Sequence, residues 1–232
     1  MAETIPYRYG LSAGREARAA DGERGQEVRT QLGSHLVGYV VGGHMPQAHE
    51  WIASFSENSA DPVAARTSRF LADCLAEPIP EEGQARVVAL LRERVACASQ
   101  AEARSIAWAA RSAYSPREVY QQVVLPALVK GKGSEDNTGT MGAIVSFGVD
   151  FPEQTAEALS VMVEADDYGR LALYHGDELH AVLAILLGSA EPNARKTATA
   201  IVHGLAARRF DRFAVLLRPK VQPDDGGPAY QV

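Results

Sequence analysis

Six histidines could hold a metal or move a proton, and their spacing bears on the first role. His44 and His49 stand five residues apart, as do His175 and His180. A helix turns such pairs away from each other, whereas metal-binding pairs favour four. Caps, loops and surface positions are therefore expected for these four, and for His35 and His203, and no metal site is expected. The two cysteines, Cys74 and Cys97, lack the paired spacing of a zinc site and are too few for a disulfide framework. Each falls in a helical run and is expected to serve as a small buried hydrophobe.

Phosphate chemistry has one local candidate. Lys130-Gly131-Lys132-Gly133-Ser134 looks like a phosphate loop at a glance. No Gly stands four residues before a Gly-Lys-Ser/Thr unit, however, and no strand clearly precedes it. What remains is a flexible basic loop whose Lys130 and Lys132 could touch a phosphate backbone. The adjacent carboxylates Asp166-Asp167 and Asp177-Glu178 lie near helix boundaries. Sequence neighbours diverge in space, so dipole-complementing and solvated roles suit them better than acid–base work. No Gly-x-Ser-x-Gly elbow and no Cys/His pair occurs. Without a nucleophile, base and orienter, the chain is not expected to be an enzyme, to carry a cofactor or to take a small-molecule substrate.

The remaining candidates are cations. Arg195, Lys196, Arg208, Arg209, Arg212 and Lys220 follow one another near the end of the chain. Arg208 and Arg212 are four apart, as are Arg209 and Phe213, so a helix would place each pair on one face. A cationic stripe beside aromatics suits single-stranded nucleic acid. It is equally a solvated helix face with cations complementing the dipole.

This basic block follows an acidic one. From Asp150 to Glu191, Arg170 is the one basic residue, and from Pro192 to Lys220, Asp211 is the one acidic residue. The net charge of the whole chain is −6. Such asymmetry suits head-to-tail self-association, nucleic acid against the basic part, or pairing within one molecule.

The elements that must position these groups read as nearly all helix. Gln26 to Val41 has helical spacing, ended by Gly42-Gly43. Trp51 and Phe55 share a face of a short helix from Gln47. Asp61-Pro62 starts a helix towards Ala76, with Phe70 and Leu71 inward. Glu81-Glu82 open another, with Val87, Leu90, Leu91 and Val95 apolar and Arg86, Arg92 and Arg94 on other faces. An alanine-rich helix with Trp108 follows, to about Tyr114.

Ser115-Pro116-Arg117-Glu118 reads as a capping box, and Pro126 should kink or end the helix it opens. Residues 130 to 140 form a loop, and Met141 to Val149 could be strand or helix. Phe151-Pro152, Asp177 and Glu191-Pro192 start three more helices, and Phe213, Val215, Leu216 and Leu217 close the core. No fixed-period repeat is present.

Residues 1 to 25 are rich in Gly and Arg, with Tyr7 and Tyr9 flanking Arg8 as an adhesive patch. Arg218 to Val232 carries Pro219, Pro223 and Pro228 and cannot continue a helix. The expected fold is all-α: an N-terminal arm over 1–25, a helical core domain over 26–217 and a C-terminal arm over 218–232. No run reaches the length of a membrane span, and the N-terminus lacks a secretory layout, so a cytoplasmic location is expected.

Two resemblances bear on function. Ser115 to Tyr120, with Val124-Leu125-Pro126-Ala127-Leu128, is similar to one helix of the four-helix cobalamin-binding bundle. That family continues with a Gly, a Trp and an acidic or histidine ligand region. Val129-Lys130-Gly131-Lys132-Gly133 stands here instead, without a Trp. The second is one of layout. An alanine-rich helical core between a Gly/Arg/Tyr arm and a Pro-rich arm resembles helical coat or nucleocapsid-type proteins. Among them are the proline- and alanine-rich RNA-associated proteins of fungal RNA viruses.

That resemblance implies a structural protein that self-assembles and coats RNA through its phosphate backbone. Its arms would dock on neighbouring subunits, and its location would be the virion if it is viral. RNA would lie against Arg195, Lys196, Arg208, Arg209 and Arg212, with Lys130 and Lys132. The competing expectation is a helical protein-interaction module, an effector or regulatory adaptor, without nucleic acid.

Overall fold

Proline placement accounts for many of the boundaries. In the computed structural model, α1 (Pro62–Cys74), α4 (Pro116–Val119), α7 (Pro152–Ala165) and α10 (Pro192–Ala207) each begin on a proline. The first helical position needs no N–H, and the fixed φ of proline suits it. The structure describes residues 62–218 together with positions 31, 35, 37, 38 and 40–43. Tyr7, Arg8, Tyr9, His44, His49, Trp51, Phe55, Asp61 and Lys220 lie outside the described residues. Those described between 31 and 42 are helical, and Gly43, at φ +70°, ends the run as expected.

Between these helices lie α2 (Glu81–Cys97), α3 (Gln100–Ile106) with a 3₁₀ turn Ala107–Arg111, and α5 (Leu125–Gly131). Then come α6 (Asn137–Phe147), α8 (Arg170–Tyr174), α9 (Gly176–Leu187) and a closing 3₁₀ segment Asp211–Leu217. The fold is all-α, with no strand among the described residues. Met141 to Phe147 is therefore helical. Thr140, Met141, Ala143 and Ile144 are buried, and that packing overrides the weak helix propensity of its glycines.

Residues 116 to 131 form the central rod. Pro126 neither ends it nor breaks it, because the turn Tyr120–Val124 widens into a π-helix and the Leu125 N–H donates to the Tyr120 carbonyl five residues back. Such bulges absorb irregular bonding without stopping a helix. α5 packs against α3 on one side and α7 on the other, and α10 covers α7 and α9. The core runs through Leu71, Leu91, Ile106, Leu128, Ile144, Leu159, Leu183 and Phe213, all fully enclosed.

Several expectations need correction. Val215 is 49% exposed and does not close the core, and the loop expected over 130–140 is shorter, since Lys130 and Gly131 end α5 and Asn137 to Thr140 begin α6. Phe70 is 37% exposed, since only Leu71 of that pair faces the core. Cys97 is exposed, while Cys74 is half-buried and packs against the edge of the core. Ser115 makes no capping bond; it sits at φ 37°, and Glu118 instead accepts from Gln122. Arg94 is buried among the apolar residues of α2 because Glu102 lies opposite. Its Nη2 is 2.6 Å from Glu102 Oε1, and the Ser68 hydroxyl donates to the same oxygen at 2.8 Å.

Candidate nucleic-acid interface

The loop that follows α5 owes its shape to a helix end. The Gly133 N–H donates to Leu128 O and the Lys132 N–H to Val129 O, which closes α5 with a left-handed residue. That residue is Lys132, at φ 54°, where glycine would be free of strain. Gly131 just before it is buried so tightly that a Cβ would lie 2.9 Å from the Arg104 backbone nitrogen. This contact brings α3 beside the loop, and Arg104 Nε donates to Gly131 O at 2.8 Å.

Across the gap, the end of α7 turns through Asp166, Asp167 and Tyr168 into α8. Asp166 Oδ2 accepts the Leu171 N–H at 2.8 Å and holds the start of that short helix. Together these elements enclose a cleft of about 280 Å³. Arg104, Lys132 and Arg170 supply its cations, Ser134 and Asn137 its neutral polar groups, and Asp166 and Asp167 its carboxylates. Tyr168 stands at the rim, 78% exposed, with the Arg170 guanidinium 5.4 Å from its ring centroid. Three cations against two carboxylates leave the lining positive on a chain whose net charge is −6. Such a site can hold a phosphate between cations, offer a ring to an unstacked base, and accept a bond from a sugar hydroxyl or base amine.

The cations picked from sequence are dispersed. Arg195 and Arg208 sit near opposite ends of α10, about 20 Å apart at 1.5 Å per residue. Arg195 donates to Ser189 O and Ala190 O, closing the turn after α9. Lys196 is exposed beside it. Arg208 donates to Val163 O at 2.9 Å and to Asp166 O, at the end of α7. Arg212 donates to Ala172 O and lies 3.7 Å from Asp177 Oδ1. Arg209 is exposed, at φ 68°, in the left-handed position that ends α10. Lys130 Nζ donates to Val95 O and Ala96 O, capping α2. Lys132 alone of the seven lines the cleft. The acidic and basic blocks thus meet within one molecule at Arg212 and Asp177, while Asp166 contributes its carbonyl to Arg208.

Arg104, Tyr168 and Arg170 went unmarked in the sequence. Arg170 stands there only as the lone base of an acidic stretch, and nothing local links Arg104 to a residue 66 positions on. The aromatic and the cation either side of Gly169 were the one usable signal.

Among the described residues, no three of His, Cys, Asp and Glu gather as a metal site would need. Two shifted groups lie elsewhere: burial pushes the Tyr120 phenol up to about 12, and burial with Asp73 and Glu77 raises the Cys74 thiol. No helix of the described residues is long and apolar enough to cross a membrane. Comparison with protein-family models, with curated proteins and with solved structures finds no match for this chain.

Proposed function

We propose that the protein is a structural, self-assembling protein that coats RNA through sequence-independent contacts to the phosphate backbone. The observation that carries this reading is the convergence of Arg104, Lys132 and Arg170 on one cleft with Tyr168 at its rim. One of these cations, Lys132, is held in the left-handed position that ends α5, where glycine would be free of strain. The contact surface is thereby moved from the C-terminal basic block to the loop after α5.

The test is fluorescence anisotropy of a labelled oligouridylate and an oligoadenylate at ~50 mM and ~500 mM salt, the range over which phosphate contacts weaken steeply. Both oligomers should bind alike, and affinity should collapse at the higher salt. The triple variant R104A/K132A/R170A should abolish binding, and no binding by the wild-type protein at low salt overturns the function.

A second reading has its own observation. Leu173 and Tyr174 are 63% and 76% exposed on α8, next to Tyr168. Apolar groups so placed suit docking of a partner protein without nucleic acid. A nucleic-acid-free protein that ignores both oligomers would favour it.

A further inference from the structure

We propose that Arg208, Phe210 and Arg212 form a strap that positions Tyr168 and Arg170 at the cleft, and that these three residues do not themselves touch RNA. The binding half of this inference rests on the function proposed above.

α8 has five residues, too few to be stable as a free helix. Its own cap is the Asp166 carboxylate. Leu171 and Ala172 seat it in the core beside α9, and further anchors come from the far end of the chain. Arg208 holds the stretch before it by donating to Val163 O and Asp166 O. The Phe210 ring fills the space over Gly169, which is at φ +66° and could carry no Cβ without overlapping that ring. Arg212 holds α8 itself through Ala172 O, and also pairs with Asp177 at the start of α9. Its guanidinium also occupies the place a Cβ on Gly176 would take. Phe213 anchors the strap, fully enclosed against the His180 ring at 6.3 Å between centroids.

These anchors fall on both sides of Tyr168 and Arg170, whose own side chains remain exposed. Arg208 and Arg212 look in sequence like phosphate ligands. In the fold their guanidinium groups satisfy carbonyls of 163, 166 and 172, and turning them to a phosphate would abandon those carbonyls.

Gly176→Ala separates the two roles, because it removes no charge and evicts the Arg212 guanidinium. Binding of a labelled oligouridylate would be followed from ~50 to ~500 mM salt for the wild type, G176A, R212A and K132A. Hydrogen exchange of residues 167–174 would be followed in the free proteins. K132A should make the log–log salt slope shallower by about 0.7, the value for one phosphate of a single strand. G176A and R212A should each lower affinity several-fold at unchanged slope and speed exchange at 167–174.

A shallower slope for R212A, matching that of K132A, overturns the strap in favour of direct contact. Wild-type or tighter binding by G176A also overturns it. If the wild-type protein binds no RNA, the function fails and exchange decides the strap alone. Faster exchange in both variants supports it, and unchanged exchange removes it.

Discussion

Arg94 and Glu102 carry the highest stakes of any pair in the core. Each side chain is 2% exposed, and two guanidinium nitrogens reach Glu102 Oε1, at 2.6 and 2.8 Å. Taking both charges out of water is costly, and their mutual bonds offset that cost only while both are present. Glu102→Ala should therefore destabilise by about 3–5 kcal/mol. Replacing the whole cluster, as Arg94→Met and Glu102→Leu with Ser68→Ala so that no buried hydroxyl is left without its partner, should be near neutral or stabilising. Urea unfolding midpoints of the two variants check this, and a Glu102→Ala cost below about 1 kcal/mol would sink it. None of this was legible beforehand. Arg92 and Arg94 look alike in sequence, and the Ser68 and Glu102 that distinguish them lie on other helices. The positions of Leu71, Val87, Leu90 and Leu91 were legible, because helical periodicity needs only local residues. The same limit applies to the cleft, where Lys132 announced itself in a basic loop and Arg104 and Arg170 did not.

Helix starts were the most readable elements, and α6 was the least. Pro116, Pro152 and Pro192 each mark a first turn, as the fixed φ of proline requires. α6 mixes Gly139 and Gly142 with Ile144 and Val145, so strand and helix chemistry compete within it. Its Asp136 cap helps decide the contest. Asp136 Oδ1 accepts the Gly139 N–H at 3.1 Å, and a Cβ on Gly139 would overlap the other carboxylate oxygen. Loss of an Asp cap costs typically ~1 kcal/mol. Asp136→Ala should thus lower the melting temperature by about 2–4 °C, the shift expected for a chain of this size. Gly139→Ala should lower it too, by disturbing the same carboxylate. Calorimetry of the two variants checks this, and an unchanged melting temperature for Asp136→Ala would show that the cap is dispensable. Because Asn137 lines the cleft at the first turn of α6, the same variants should also weaken RNA binding.

At the scale of the whole molecule, two forces respond to salt in opposite directions. Each copy carries a net charge of −6, so copies repel, and added salt screens that repulsion. Tyr168, Leu173 and Tyr174 expose apolar surface around α8 that gains by association once repulsion is weakened. Under the proposed function, contacts between RNA and the cleft cations would behave the other way, because salt competes for the phosphates. RNA-free protein should therefore associate more as salt rises from ~50 to ~500 mM, while RNA-loaded particles should come apart over the same range. Light scattering with absorbance at 260 and 280 nm reads both. Leu173→Ser with Tyr174→Ser should flatten the first response and leave the RNA release of the second in place. That separation matters because the three cleft cations and the apolar groups of α8 belong to one small region, and a single salt titration could not otherwise tell which of them drives any association that is observed. A protein that stays monomeric at every salt, with and without RNA, would remove self-assembly and leave the cleft as a site on a single copy.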